Sequence, residues 1–192
     1  AAPVRIGIDI GGRGTTIGLL DVHQKLLACK EIKTQIERPA EAVIEDIGRE
    51  TLKLLESQKI AIDQCVSLGI SVPGTVDKRH GIVRYSNNIK WENVYLRKQI
   101  SEYLPIPVHI ANDADCAALG EALEGAGREC QDVVMLTLGM GVGGGVILDG
   151  EIYAGKNIGG SELGHMVIVE DGELCTCGRH GCLEAYVSTT AL

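Results

Sequence analysis

Val4-Arg-Ile-Gly-Ile-Asp9-Ile-Gly-Gly-Arg-Gly-Thr15-Thr-Ile-Gly-Leu-Leu-Asp21 joins two β-branched, apolar runs through the turn Gly11-Gly12-Arg13-Gly14. Runs of this kind, split by turn residues, predict a pair of strands, Val4–Ile10 and Thr15–Asp21. A third strand, Lys25–Lys33, follows across His23-Gln24, so the opening is an antiparallel three-strand meander. The same unit returns later. Val133–Leu138 runs into the turn Gly139–Gly145, within Leu138-Gly-Met-Gly-Val-Gly-Gly-Gly145, and Val146–Leu148 comes back. Turns rich in glycine expose backbone N–H groups and let phosphate oxygens approach without a Cβ in the way. Two such units imply two related lobes. Neither unit is a Walker loop, which would need Gly-Lys-Ser/Thr, and neither fits a dinucleotide fingerprint, because a strand follows each turn.

Between the two units the pattern alternates strand and helix. Pro39 opens a helix with Val43, Ile44, Ile47, Leu54 and Leu55 on one face. Cys65–Ser71 is a short apolar strand ending at Pro73-Gly74. Ile82–Trp91, with Asn87-Asn88 and the only Trp, reads as irregular, and Leu96–Tyr103 as a helix. Val108–Ala111 is a buried strand, after which Asn112 and Asp113 start an Ala-rich helix reaching about Leu123. Hairpins mixed with strand–helix–strand crossovers give an α/β class. The division expected is 1–113 and 114–192.

Composition narrows the function. A chain of 192 residues with 45% apolar and 23% charged residues can bury a core, and without Phe that core must be Ile, Leu, Val and Ala. A net charge of −8 with no basic run argues against a nucleic-acid partner. No segment is apolar for the length a bilayer requires, and Asp9 and Arg13 interrupt the first apolar stretch, so neither a membrane span nor a signal peptide is expected. Of seven cysteines, Cys29, Cys65, Cys116 and Cys130 sit among apolar neighbours and read as buried thiols of a reducing, cytoplasmic compartment.

The other three form a set. His165, Cys175, Cys177 and Cys182 fall within eighteen residues, and soft thiolates with one imidazole suit a closed tetrahedral structural Zn²⁺. That loop also carries Glu162 and Glu184, carboxylates able to hold the hydroxyls of a polyhydroxy ligand such as a sugar. Asp9, ending the first strand, is placed to hold Mg²⁺ through water. Asp113 has two readings. It caps a helix N-terminus, or it is the general base that takes a proton from an attacking hydroxyl in phosphoryl transfer.

Together the stretches Asp9-Ile-Gly-Gly12, Asn112-Asp113-Ala-Asp-Cys-Ala-Ala-Leu-Gly-Glu121, Leu138–Gly145, Glu162-Leu-Gly-His165 and Cys175-Thr-Cys177-Gly-Arg-His-Gly-Cys182-Leu-Glu184-Ala resemble the ROK family (repressor, open reading frame, kinase) of the actin-like ATPase superfamily. The resemblance covers essentially the whole chain, and is nearest to the bacterial glucokinases. It implies an actin-like ATPase (ribonuclease H-like) fold: an N-terminal lobe plus the beginning of the C-terminal lobe. It implies an ATP-dependent hexose kinase of carbohydrate metabolism and glycolysis, with Asp113 as base on the sugar 6-hydroxyl. Gly74, Asn88, Asn112, Glu162, His165 and Glu184 would bind the sugar. Asp9, Gly11, Gly12, Thr15, Gly139, Gly141, Gly143 and Gly144 would line Mg-ATP, and His165, Cys175, Cys177 and Cys182 would hold zinc. A homodimer is also implied.

Three departures from the family pattern stand out. Arg13 and Met140 replace hydroxyl residues in the two phosphate turns, and Met is no strong donor. The chain stops at Thr190-Ala191-Leu192, inside an expected helix, where family members continue, so a fragment with incomplete nucleotide binding is expected. Two other functions share the pattern: an N-acetylmannosamine or N-acetylglucosamine kinase, and a sugar-sensing transcriptional repressor, which would need a DNA-binding segment ahead of the first strand.

Overall fold

Alternation along Val4–Ile10 (β1) buries Val4, Ile6, Ile8 and Ile10 and turns Arg5 and Asp9 outward. The computed structural model describes residues 2–155 and 162–191. β1 is followed by Gly14–Leu20 (β2), Leu26–Lys33 (β3), the helix Ala40–Ser57 (α1) and Cys65–Val72 (β4). Thr75–Asp77 (β5), Ile82–Ser86 (β6) and Trp91–Val94 (β7) come next, then Leu96–Ile100 (α2) and Val108–Asn112 (β8). Asp113–Glu124 (α3), Val133–Leu138 (β9), Val142–Leu148 (β10), Glu151–Ile152 (β11) and Glu184–Val187 (α4) complete the described elements, with a 3-10 turn at Leu163–His165.

Two compact units divide the chain, Ala1–Asp113 and Ala114–Leu192. In the first, five strands run in the order β3-β2-β1-β4-β8. β1, β2 and β3 pair antiparallel, as the meander predicts, whereas β4 lies parallel to β1 and β8 parallel to β4. Parallel neighbours need a crossover, and α1 supplies the first. Its face of Val43, Ile44, Ile47, Leu54 and Leu55 is buried in the same core as Ile17, Leu19, Leu68 and Ile70. With Phe absent, aliphatic side chains and Trp91 fill that core.

Three expectations need correction here. Ile82–Trp91 is not irregular: β5, β6 and β7 form a small antiparallel sheet in the order β5-β6-β7. Its strands are short and polar bonds help hold it, which hides it from a hydrophobic pattern. Buried Asp77 accepts from Arg84 Nη2 at 2.7 Å, and Arg97 Nη2 donates to Lys78 O at 2.6 Å. The helix expected over Leu96–Tyr103 ends at Ile100, since the chain must turn toward Pro105 and Pro107. Cys29 and Cys130 are exposed, Cys29 on the outward face of edge strand β3 and Cys130 in the loop after α3. Cys65 is buried as expected.

In the second unit β9, β10 and β11 form a sheet in the order β11-β10-β9. β10 begins at Val142, so Gly143, Gly144 and Gly145 are strand residues and the turn shrinks to Gly139–Gly141. The reason is packing. A Cβ at Gly145 would run into Ala118 and Ala114 of α3, and one at Gly144 would press on Leu163. No helix among the described residues is long and apolar enough to cross a membrane.

Candidate active site and metal centre

The first unit brings its expected site residues together at the C-terminal ends of β1, β4 and β8. Asp9 ends the outward face of β1, and its carboxylate accepts a hydrogen bond from Ser71 of the neighbouring β4. The adjoining turn closes through Gly11 N–H to Gly14 O at 2.9 Å. A Cβ on Gly12 would lie 3.1 Å from Asn88 O, so the Asn88 turn of the small sheet abuts the glycine turn. Thr15 departs from expectation. Its side chain is buried, with Oγ1 2.9 Å from Thr34 Oγ1, and Thr34 in turn donates to Gly11 O at 2.6 Å. Thr15 therefore braces the turn from within and presents no hydroxyl outward. Arg13 is exposed, and its carbonyl accepts from Thr34 N.

Asn112 and Asp113 mark the junction of β8 with α3. Asn112 Nδ2 donates to Gly74 O at 2.8 Å, which pins the turn after β4 to the end of β8. Gly74 has φ +99°, and a Cβ there would strike Tyr85 O and Ser86. Only glycine suits both the backbone and the space. Asp113 is exposed and is the first residue of α3. Ser86 Oγ and Trp91 Nε1, opposite each other on β6 and β7, are buried with no protein partner among the described residues.

The second unit holds the cysteines. The ligand atoms of His165, Cys175, Cys177 and Cys182 all lie within 4.8 Å of one another. Cys177 and Cys182 sulfurs are 3.7 Å apart, and His165 Nδ1 is 3.6 Å from Cys175 Sγ. A tetrahedral ion with metal–sulfur bonds of about 2.3 Å has edges of about 3.8 Å, so the four donors fit a Zn²⁺-sized ion. The knuckle is built by Gly178 N–H to Cys175 O at 2.9 Å and Cys175 N–H to Arg179 O at 2.8 Å. The Arg179 backbone amide and guanidinium draw the exposed Cys177 thiol down to about 6, while burial pushes the Cys182 thiol up to about 11. A bound cation would work against the burial penalty at Cys182 by favouring its thiolate. With Nδ1 facing the sulfurs, His165 keeps Nε2 for a second partner.

Glu162 is exposed ahead of the Leu163–His165 turn, and its backbone carbonyl accepts from His165 N at 3.0 Å. Glu184 is more deeply engaged than foreseen. Oε2 accepts from Val142 N at 2.9 Å and Oε1 from Thr176 Oγ1 at 2.7 Å. Burial alone would raise its pKa; the Val142 amide and the Thr176 hydroxyl outweigh burial and lower it. Gly139 and Gly141 form the second turn, closed by Gly139 N–H to Gly141 O at 2.9 Å, with Met140 exposed at its tip. Gly143 and Gly144, expected beside phosphate, lie in β10, where the Gly143 Cβ direction points at Thr137 and Ala114 and that of Gly144 at Leu163.

Known proteins resemble this chain along nearly its whole length. A glucokinase of Thermotoga maritima is 38% identical over 188 residues, covering 97% of this chain and 58% of that protein. The solved ROK hexokinase of Thermus thermophilus superposes with a TM-score of 0.87 at 32% identity, over 98% of this chain and 61% of that one. A solved ROK family transcriptional regulator, described as a homolog of the E. coli MLC protein, gives a TM-score of 0.87 at 28% identity, over 99% of this chain and 48% of that one. The chain thus spans under two thirds of the length of these relatives. The ROK family model matches residues 5–192, from the first glycine turn through the cysteine knuckle, and the chain belongs to that family, with its α/β actin-like fold.

Proposed function

We propose that the protein is an ATP-dependent hexose kinase of the glucokinase type, transferring a phosphoryl group from ATP to the sugar 6-hydroxyl. The observation that carries this reading is the β8–α3 junction. It sets a carboxylate, Asp113, on a helix N-terminus and ties the preceding Asn112 to the Gly74 turn. Likeness to the Thermotoga maritima glucokinase supports the choice of reaction.

In this reading Asp113 takes the proton of the attacking hydroxyl. Asn112, Gly74 and Asn88 shape the sugar pocket, and Glu162, His165 Nε2 and Glu184 hold sugar hydroxyls. Asp9 orients Mg²⁺, and the turns at Gly11–Gly12 and Gly139–Gly141 receive phosphate oxygens through backbone amides. Zn²⁺ at His165, Cys175, Cys177 and Cys182 supplies a structural cross-link and takes no part in the chemistry. A homodimer and a cytoplasmic location belong to the same reading and rest on the family resemblance and the cysteine usage.

A coupled assay of ADP release by the full-length gene product tests it, using glucose, mannose, fructose and N-acetylhexosamines. The glucokinase reading expects glucose to give the highest kcat/KM. Preference for an N-acetylhexosamine would move the assignment to the amino-sugar kinases. One observation favours a second reading, a sugar-sensing repressor: the fold matches a ROK transcriptional regulator as closely as it matches a hexokinase. Sugar binding without ADP release, with a DNA-binding segment encoded upstream, would establish that reading.

A further inference from the structure

Glu184 joins two parts of the second unit that otherwise have separate roles. Its Oε1 takes the hydroxyl of Thr176, which lies between metal-ligating Cys175 and Cys177, and also lies 3.9 Å from Cys175 Sγ. Its Oε2 takes the backbone N–H of Val142, the residue that leaves the second glycine turn. Gly141 packs on the same oxygen: a Cβ there would fall 2.7 Å from Oε2. The turn is held on its other side too. The Leu163–His165 turn carries the fourth metal ligand, and there a Cβ on Gly164 would run into Val142 O while Leu163 covers Gly144. Beyond α4, Thr189 N–H donates to Gly139 O and Thr190 Oγ1 to Met140 O, each at 2.8 Å.

We propose that Glu184 is a positioning residue for the phosphate-side turn Gly139–Gly141, transmitting to that turn the geometry the metal loop imposes. The metal centre then serves the phosphoryl donor as well as the sugar. A Val142 amide bonded to a carboxylate fixes where the turn enters β10, and Thr176 fixes the carboxylate. Losing either link loosens the Val142 side of the turn while every metal ligand stays in place. The consequence for ATP rests on the kinase reading above; the structural coupling does not.

Hydrogen–deuterium exchange on the zinc-loaded full chain tests the coupling, with zinc content measured in every variant. Glu184→Ala and Thr176→Val, each retaining zinc, are expected to speed exchange of peptides covering 139–145 by about tenfold, the worth of one hydrogen bond to a charged group. Glu184→Gln keeps an acceptor for Val142 N–H and is expected to stay near the unaltered protein. Peptides covering Val4–Ile17 should not change in any variant. Unchanged protection of 139–145 in Thr176→Val at full zinc occupancy would overturn the proposal, whether or not Glu184→Ala folds. In turnover, Thr176→Val should raise the KM for ATP several-fold. Faster exchange with an unaltered KM for ATP would keep the coupling and refute the phosphate role of the turn.

Discussion

At Thr15 the hydroxyl that looks available to a phosphate is spent inside the protein. It bonds Thr34, which bonds Gly11 O, and this chain of three groups sets the first turn. The outward positions of the two turns belong to Arg13 and Met140. If the hydroxyls that the family pattern implies at these two positions contact phosphate, Arg13→Thr and Met140→Thr should each raise turnover with ATP by roughly two- to tenfold, the range of one recovered hydrogen bond. Steady-state rates at saturating sugar measure this, and unchanged or lower rates in both would refute weakened ATP handling through the lost hydroxyls. Gly74→Ala tests the turn after β4 through stability. With φ at +99° and Tyr85 O in the path of the new methyl, unfolding free energy should fall by about 1–3 kcal/mol. Denaturant titration checks it, and a loss below a few tenths would mean the Gly74 turn relaxes freely. Single residues were legible in the sequence where chemistry is local, as at the cysteine set. They were hidden where a partner far along the chain decides, as for Thr15 with Thr34 or Glu184 with Val142.

Elements followed a similar rule. The β1–β3 meander and α1 were visible because one face of each is apolar at the right period. The small sheet was not, because its strands are three to five residues long and its organising group is the buried Asp77. Burial would raise that carboxyl, but Arg84 and His80 prevail and hold it well below the usual carboxylate range. A depressed folded-state pKa stabilises fully above the unfolded value near 4 and loses that contribution as pH falls through the folded value. Asp77→Asn should therefore destabilise at pH 7, and its difference from the unaltered protein should shrink as pH drops below about 4. Thermal unfolding between pH 7 and pH 3 reads this; a constant difference would show that the ion pair does not carry the effect. The turn boundary at Gly141/Val142 was misjudged for another reason: glycine reads as a turn signal, whereas Gly143–Gly145 serve close packing of β10 against α3 and Leu163.

For the molecule as a whole, two compact units hold two kinds of chemistry. The first carries the carboxylates Asp9 and Asp113; the second carries the cysteine knuckle and the Glu184 link. Because the Leu163–His165 turn and the cysteine knuckle would lose their cross-link together, a strong chelator should lower the melting temperature by about 5 °C or more, with amide protection lost in the second unit first. No shift on chelation would argue against a structural metal. Fold class and family were legible because they rest on repeated strand–glycine turn–strand units and on the His–Cys set. The central claim remains the role of Asp113. Turnover and sugar affinity of the full-length Asp113→Ala variant test it most directly: glucose-dependent ADP release should fall by about 10²–10⁴-fold while glucose binding by calorimetry stays within a few-fold. Near-normal ADP release from that variant would contradict the assignment of Asp113 as the base.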